Sequence, residues 1–285
     1  MSSKRNTHAR NEILDVIRGL AILIVILGHA LQGTNHGETG GTLHAFILSF
    51  QMELMFAISG FSAVYARKGT FRLALERHLL RLGVPYFVWV GLAFLFQAVR
   101  GIAPWAPSQI ANLVMTSGFW FLRQLLLIYI AYEVYARFKP AIGIALGLCT
   151  LSAFACIPGQ ETLLHYALWF AIGYAAHLIG RRILPSLALA NPLPRRPSSW
   201  LVWCGRNSLA LYAVYWNIFF SSLSMHVNFH TLVERGLGFY TVALLLFVLF
   251  TAGSVFIILV MKNFLVLPQL FFGEPFTRRP DQPPA

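Results

Sequence analysis

The sequence predicts an all-α, polytopic integral membrane helical bundle of about eight transmembrane helices with both termini cytoplasmic. Three observations predict it. Of 285 residues, 57% are hydrophobic and only 11% are charged, a balance far from that of soluble domains. The apolar residues gather in runs of about 20, the length that crosses a hydrocarbon core as a helix. Basic residues gather between the runs, so the net charge of +12 reflects the positive-inside rule and not nucleic-acid binding.

The runs fall near residues 13–33, 43–66, 80–100, 119–137, 140–158, 163–183, 200–223 and 238–262. With a cytoplasmic N-terminus, the inside segments hold Lys4, Arg5 and Arg10, then Arg67, Lys68, Arg72, Arg77 and Arg81, then Arg137 and Lys139. Arg181, Arg182, Arg195, Arg196, Arg206, Lys262, Arg278 and Arg279 follow on the same side. Arg100 and Arg235 lie outside, and Arg18 and Arg123 lie within spans. This asymmetry sets the expected orientation.

Residues 1–12 are then a cytoplasmic N-terminal segment, and 13–272 are the transmembrane domain. The Pro- and Ser-rich stretch 184–199 reads as a cytoplasmic linker between the sixth and seventh spans. The polar, Pro-rich stretch 273–285 reads as a disordered cytoplasmic tail. No small-residue cleavage signature follows the first run, so the first span is expected to stay in the mature protein. Cys149, Cys156 and Cys204 sit in or at the ends of apolar segments, at spacings that suit neither a disulfide framework nor a zinc site. They read as packing residues.

The first run carries unexpected polarity. "DVIRGLAILIVILGHA", residues 15–30, contains Asp15, Arg18 and His29, groups that are costly in hydrocarbon and usually mark function. Arg18 and His29 are about three helical turns apart, roughly 16 Å of rise, and Asp15 lies one turn before Arg18 on the same side. A neutral imidazole near the outer end suits a general base, although a backbone carbonyl can also satisfy a buried His. Asp15 can neutralise Arg18 and fix its rotamer, and a purely structural ion pair is the plainer alternative.

Further candidates lie along the chain. Glu53, an intramembrane carboxylate in the second span, needs a partner and either orients a base or bonds to Gln51 or a neighbouring span. Ser59 occupies a small Ser-Gly step that admits a backbone or ligand. Arg77 and Arg81 sit one turn apart at the mouth of the third span, where guanidinium suits phosphate and positive-inside anchoring is the simpler role. Arg123, near the outer end of the fourth span, suits an acceptor phosphate or an oxyanion, or else snorkels to the interface. Tyr212 and Asn217 climb the seventh span beside Tyr215, whose default role is packing. His226 and His230 form an H-x-x-x-H pair with no Glu after His226, so zinc catalysis is not indicated and no metal is expected.

Five motifs then occur in order: "LDVIRGLAILIVILGHA", "FQMELMFAISGF", "RHLLRLGVPYF", "FWFLRQLL" and "GRNSLALYAVYW". Together they resemble the motif series of acyltransferase family 3, bacterial integral membrane proteins that O-acylate sugars and polysaccharides. The resemblance implies His29 as the base, Arg18 as a residue orienting the acyl donor, and Tyr212 as a matching motif position. It implies acyl-CoA, acetyl-CoA foremost, as a donor substrate and not as a tightly bound cofactor. The acceptor is expected to be a sugar hydroxyl of a surface polysaccharide or lipid-linked oligosaccharide, and the location the bacterial inner membrane. Gln51, Glu53 and Tyr215 depart from the residues many members carry there, His, Pro and His respectively. The chain is also shorter than the usual ten-span core, and the missing length falls at the linker. A sugar-lipid or small-solute transporter would share the composition and the buried charges, but it would not account for the ordered motifs.

Topology can be checked by cysteine labelling in cells. A Cys introduced at Gly37 is expected to react in intact cells, and one at Ser198 only after permeabilisation. The opposite pattern would reverse the orientation.

Overall fold

The apolar runs fold as helices, and no strand occurs among the described residues of the computed structural model. The structure describes residues 12–34, 41–66, 69–99, 119–157, 162–187, 199–221, 229–264 and 266–274, with 114 and 160 placed singly. The elements are α1 (Glu12–Thr34), α2 (Gly41–Leu48), α3 (Gln51–Ala66), α4 (Phe71–His78), a π turn (Leu79–Gly83), and α5 (Val84–Val99). They continue as α6 (Trp120–Tyr135), α7 (Pro140–Ala155), α8 (Leu163–Leu187), α9 (Ser199–Arg206), α10 (Ser208–Val214) and a second π turn (Tyr215–Ser221). The last three are α11 (His230–Glu234), α12 (Phe239–Met261) and α13 (Leu267–Phe272).

Among the described residues, five stretches are long and apolar enough to cross a membrane: Glu12–Thr34, Thr42–Val64, Phe71–Val99, Leu163–Gly180 and Phe239–Met261. The other three expected spans are helical but shorter or interrupted. Helices α6 and α7 have 16 residues each, and the seventh window is divided among α9, α10 and the second π turn. Most of the expected linker lies outside the described residues, although α8 runs on to Leu187. His226 also lies outside the described residues, while His230 pairs with Glu234 at 3.2 Å.

Large apolar side chains face outward along the long helices, among them Leu244, Leu245, Val248 and Phe256 on α12 and Leu164, Leu168, Ile172 and Ile179 on α8. Such a surface suits hydrocarbon, where backbone groups must be satisfied within the helix. Polarity is turned inward instead. Asp15, His29, Gln51, Arg123, Gln124, Glu133 and His177 are all buried. All three cysteines are free, with only Cys204 buried.

Small residues set the closest crossings, as expected where lipid removes the hydrophobic drive between helices. A Cβ on Gly60 would stand 1.9 Å from the Phe170 carbonyl oxygen, and one on Gly173 would stand 1.8 Å from that of Ala57. Helices α3 and α8 therefore touch backbone to backbone. In the same way, Gly205 lies against the Asp15 carbonyl and Gly19 against that of Leu201, which joins α1 to α9.

The first π turn has a cause in sequence. Pro85 lacks the N–H that would bond the Arg81 carbonyl in a regular helix, and the chain widens over Leu79–Gly83 just before it. The turn carries Arg81, and such widenings are frequent at functional sites.

Gly173→Val is expected to lower the thermal midpoint in detergent sharply, by the equivalent of about 2 kcal/mol or more, since backbone and not a flexible side chain blocks the new methyls. Gly91→Ala, where an added Cβ meets nothing within 4 Å, should leave the midpoint unchanged or slightly raised. Equal behaviour of the two variants would contradict the crossing.

Candidate active site

Asp15 anchors one end of the site. It is 1% exposed, and its Oδ2 accepts from Arg206 Nε at 3.1 Å while Oδ1 lies 3.7 Å from Arg18 Nη1. Arg206 also approaches Glu12 at 3.8 Å. The expected partner, Arg18, is thus the more distant of two. A buried carboxylate needs such compensation, and the Gly205 contact brings Arg206 within reach.

Next to this pair opens a cavity of about 1130 Å³, counting its mouth. Arg18, Arg81 and Arg206 line it, together with His78, Ser59, Ser62, Tyr129, Asn207 and Tyr212. Three guanidinium groups facing one polar cavity make a site for an anion with several charges. Ser59 donates to the Met55 carbonyl at 2.8 Å, and Tyr129 donates to the Ser59 carbonyl at 3.2 Å. His78 stacks on Tyr129, with ring centroids 4.4 Å apart, and bonds Glu133 at 3.2 Å. Glu133 is held in turn by Arg137 at 3.1 Å. Arg77, by contrast, is exposed and bonds back to the Leu73 carbonyl at 3.1 Å. Of the two basic residues singled out at the mouth of the third span, Arg81 alone lines the cavity.

His29 lies three turns further along α1. Its Nδ1 is 2.9 Å from the Val25 carbonyl, which can only accept, so Nδ1 carries the proton and the neutral ring keeps its lone pair on Nε2. The Tyr215 hydroxyl oxygen shares the same N–H at 3.2 Å. The tautomer that a base requires is therefore set by α1 itself. Rings of Tyr215, Trp216 and Phe220 surround the imidazole at 4.9 to 5.6 Å, an apolar wall supplied largely by the second π turn.

Aromatic side chains connect the two ends. Tyr212, at the cavity wall, stands 5.9 Å from Tyr215 between ring centroids, and Tyr215 reaches His29. Asn217 donates to the Ala213 carbonyl at 3.0 Å and is not among the cavity's lining residues.

Glu53 and Arg123 go elsewhere. Glu53 pairs with His165 at 3.1 Å, so its carboxylate is turned toward α8. Arg123 is 9% exposed and donates to the Val114 carbonyl at 2.9 Å. Gln160, in the amide orientation that satisfies both groups, accepts from Arg123 Nη2 at 3.0 Å and Nε at 2.6 Å. Snorkelling to the interface does not describe a guanidinium so enclosed.

Arg206, His78 and Tyr215 were not among the residues singled out for function. Arg206 and Tyr215 lie inside "GRNSLALYAVYW" and His78 inside "RHLLRLGVPYF", so motif membership was the available signal. Nothing in one sequence shows which motif residues face each other.

Fold and site together define a helical, membrane-type protein with a cationic cavity at one end of its first helix and a tautomer-fixed histidine further along that helix. The family model described as an acyltransferase domain matches residues 11–190, and the chain belongs to acyltransferase family 3. No curated protein and no solved structure matches it. The match covers α1 through α8, while Arg206 and Tyr215 lie beyond it.

Arg206→Ala is expected to destabilise the fold by about 1–3 kcal/mol, because it removes the closer of the two arginines from the buried Asp15 carboxylate. Asp15→Asn combined with Arg206→Gln should recover most of that loss. Thermal unfolding in detergent measures both, and no difference between the single and double variants would remove Arg206 from this role.

Proposed function

We propose that the protein transfers an acyl group, acetyl foremost, from cytoplasmic acyl-CoA to a sugar hydroxyl of a cell-surface polysaccharide or lipid-linked oligosaccharide. The observation that carries the reading is the single helix that joins Arg18, in the cationic cavity, to His29 with its free lone pair on Nε2. Family membership supports the reaction class. The cytoplasmic and outer faces follow from the placement of basic residues.

On this reading the coenzyme A phosphates bind at Arg18, Arg81 and Arg206, and the pantetheine arm carries the thioester past Tyr212 toward His29. Nε2 takes the proton of the acceptor hydroxyl as its oxygen attacks the thioester carbonyl carbon. The tetrahedral intermediate collapses by breaking the carbon–sulfur bond, and the imidazolium returns its proton to the departing thiolate. Ester and free thiol are the products. Tyr215, sharing the Nδ1 proton, holds the ring as its charge changes.

His29→Ala is expected to leave coenzyme A binding nearly intact and to reduce ester formation on the order of 10²- to 10⁴-fold, the usual cost of losing a general base. Donor binding by calorimetry and acyl transfer by thiol release measure the two steps separately. Full transfer in a stably folded His29→Ala protein would overturn the assignment. Absence of any thiol release from the wild type, with unchanged surface-glycan O-acetyl esters on gene deletion, would favour a transporter.

A further inference from the structure

The segment after the last long helix folds back onto the cavity. Gly273 has a left-handed φ of 63°, and a Cβ there would come within 2.4–2.7 Å of the Arg81 backbone. Only glycine allows this approach. Trp89 Nε1 donates to the Phe271 carbonyl at 3.0 Å, which fixes α13 against α5. Phe272, Gly273 and Glu274 consequently form part of the cavity wall.

Glu274 is the one carboxylate among the described residues lining a cavity that also presents Arg18, Arg81 and Arg206. Its Oε1 lies 2.7 Å from Lys262 Nζ, and Lys262 also donates to Asn207 Oδ1 at 2.5 Å. Asn207 lines the cavity as well. Lys262 and Glu274 are 31% and 37% exposed, and an ion pair so open to water adds little to stability. A carboxylate held this loosely in a cationic cavity occupies a position that a phosphate would occupy more strongly, with more charge and more acceptor oxygens.

We propose that Lys262, oriented by Asn207, forms an anion subsite beside this cavity, which Glu274 fills as an internal counterion until a phosphate group of the donor displaces it. The inference rests on the acyl-CoA reading. On displacement, Lys262 keeps its bond to Asn207, a lining residue, so its ammonium stays beside the cavity wall, and the cavity loses its own negative charge as the polyanion enters. The subsite recognises the nucleotide phosphates and not the acyl group.

The sign of one substitution tests this. Full-length protein in detergent is titrated calorimetrically with coenzyme A, adenosine 3′,5′-bisphosphate and pantetheine. Glu274→Gln is expected to tighten binding of coenzyme A and of the bisphosphate about twofold to fivefold, the scale of an exposed ion pair. Lys262→Met should weaken both by about tenfold, the scale of a lost charged hydrogen bond. Pantetheine, which lacks phosphate, should respond to neither substitution. A Glu274→Gln protein that binds the phosphate ligands equally or more weakly overturns the subsite, because a purely structural pair gives that result. A pantetheine response equal to that of coenzyme A overturns it too. If the wild type binds none of the three, the donor reading fails and the subsite fails with it, an outcome distinct from wild-type binding that ignores Glu274.

Discussion

The carboxylate of Asp15 is the point on which the arrangement depends. It is buried at the start of α1 and bound by Arg206 from α9 and more distantly by Arg18 from its own helix. A buried charge without partners is far costlier than one with them, so the two helices cannot separate without exposing that cost. Gly205 against the Asp15 backbone permits the approach. Because Arg206 takes the shorter contact, Arg18 can present its guanidinium to the cavity as well. One ion cluster thus fixes the α1–α9 crossing and furnishes two of the three arginines that line the cavity.

The other end of α1 is organised by a different force. Among the described residues no carboxylate pairs with His29; a backbone carbonyl one turn away sets its tautomer, and a tyrosine hydroxyl shares the proton. Aromatic rings from the second π turn close around it. Trp216 and Phe220, four positions apart on that turn, lie on one side and face the imidazole together. The first π turn serves the cationic end in a comparable way. Pro85 removes a helical hydrogen bond, and the widened backbone both carries Arg81 and receives Gly273.

Long-range partners escaped the sequence for a simple reason. Glu53 reads in sequence as a carboxylate in need of a partner, but His165, more than a hundred positions away, cannot be chosen from the sequence over the eight other histidines. Arg123 invites an interfacial reading because snorkelling is common for a long cation near a helix end. Its enclosure comes from Val114 and Gln160, which lie in separate stretches of chain. Lys262 counts toward the positive-inside asymmetry like any other basic residue, yet it reaches Asn207 and Glu274 at once.

The sequence by itself determined the all-helical class, the helical runs, the Asp15, Arg18 and His29 stripe, and the family. These follow from local quantities: apolar run length, residue spacing along one helix, and ordered motifs. Tertiary structure alone decided which of the two arginines before Pro85 faces the cavity, that Arg206 is the nearer partner of Asp15, that Tyr215 reaches His29, and that Glu274 returns to the cavity wall. Each of these depends on where a distant helix crosses, and a crossing is set by glycine contacts and buried charge between segments that the linear order does not pair.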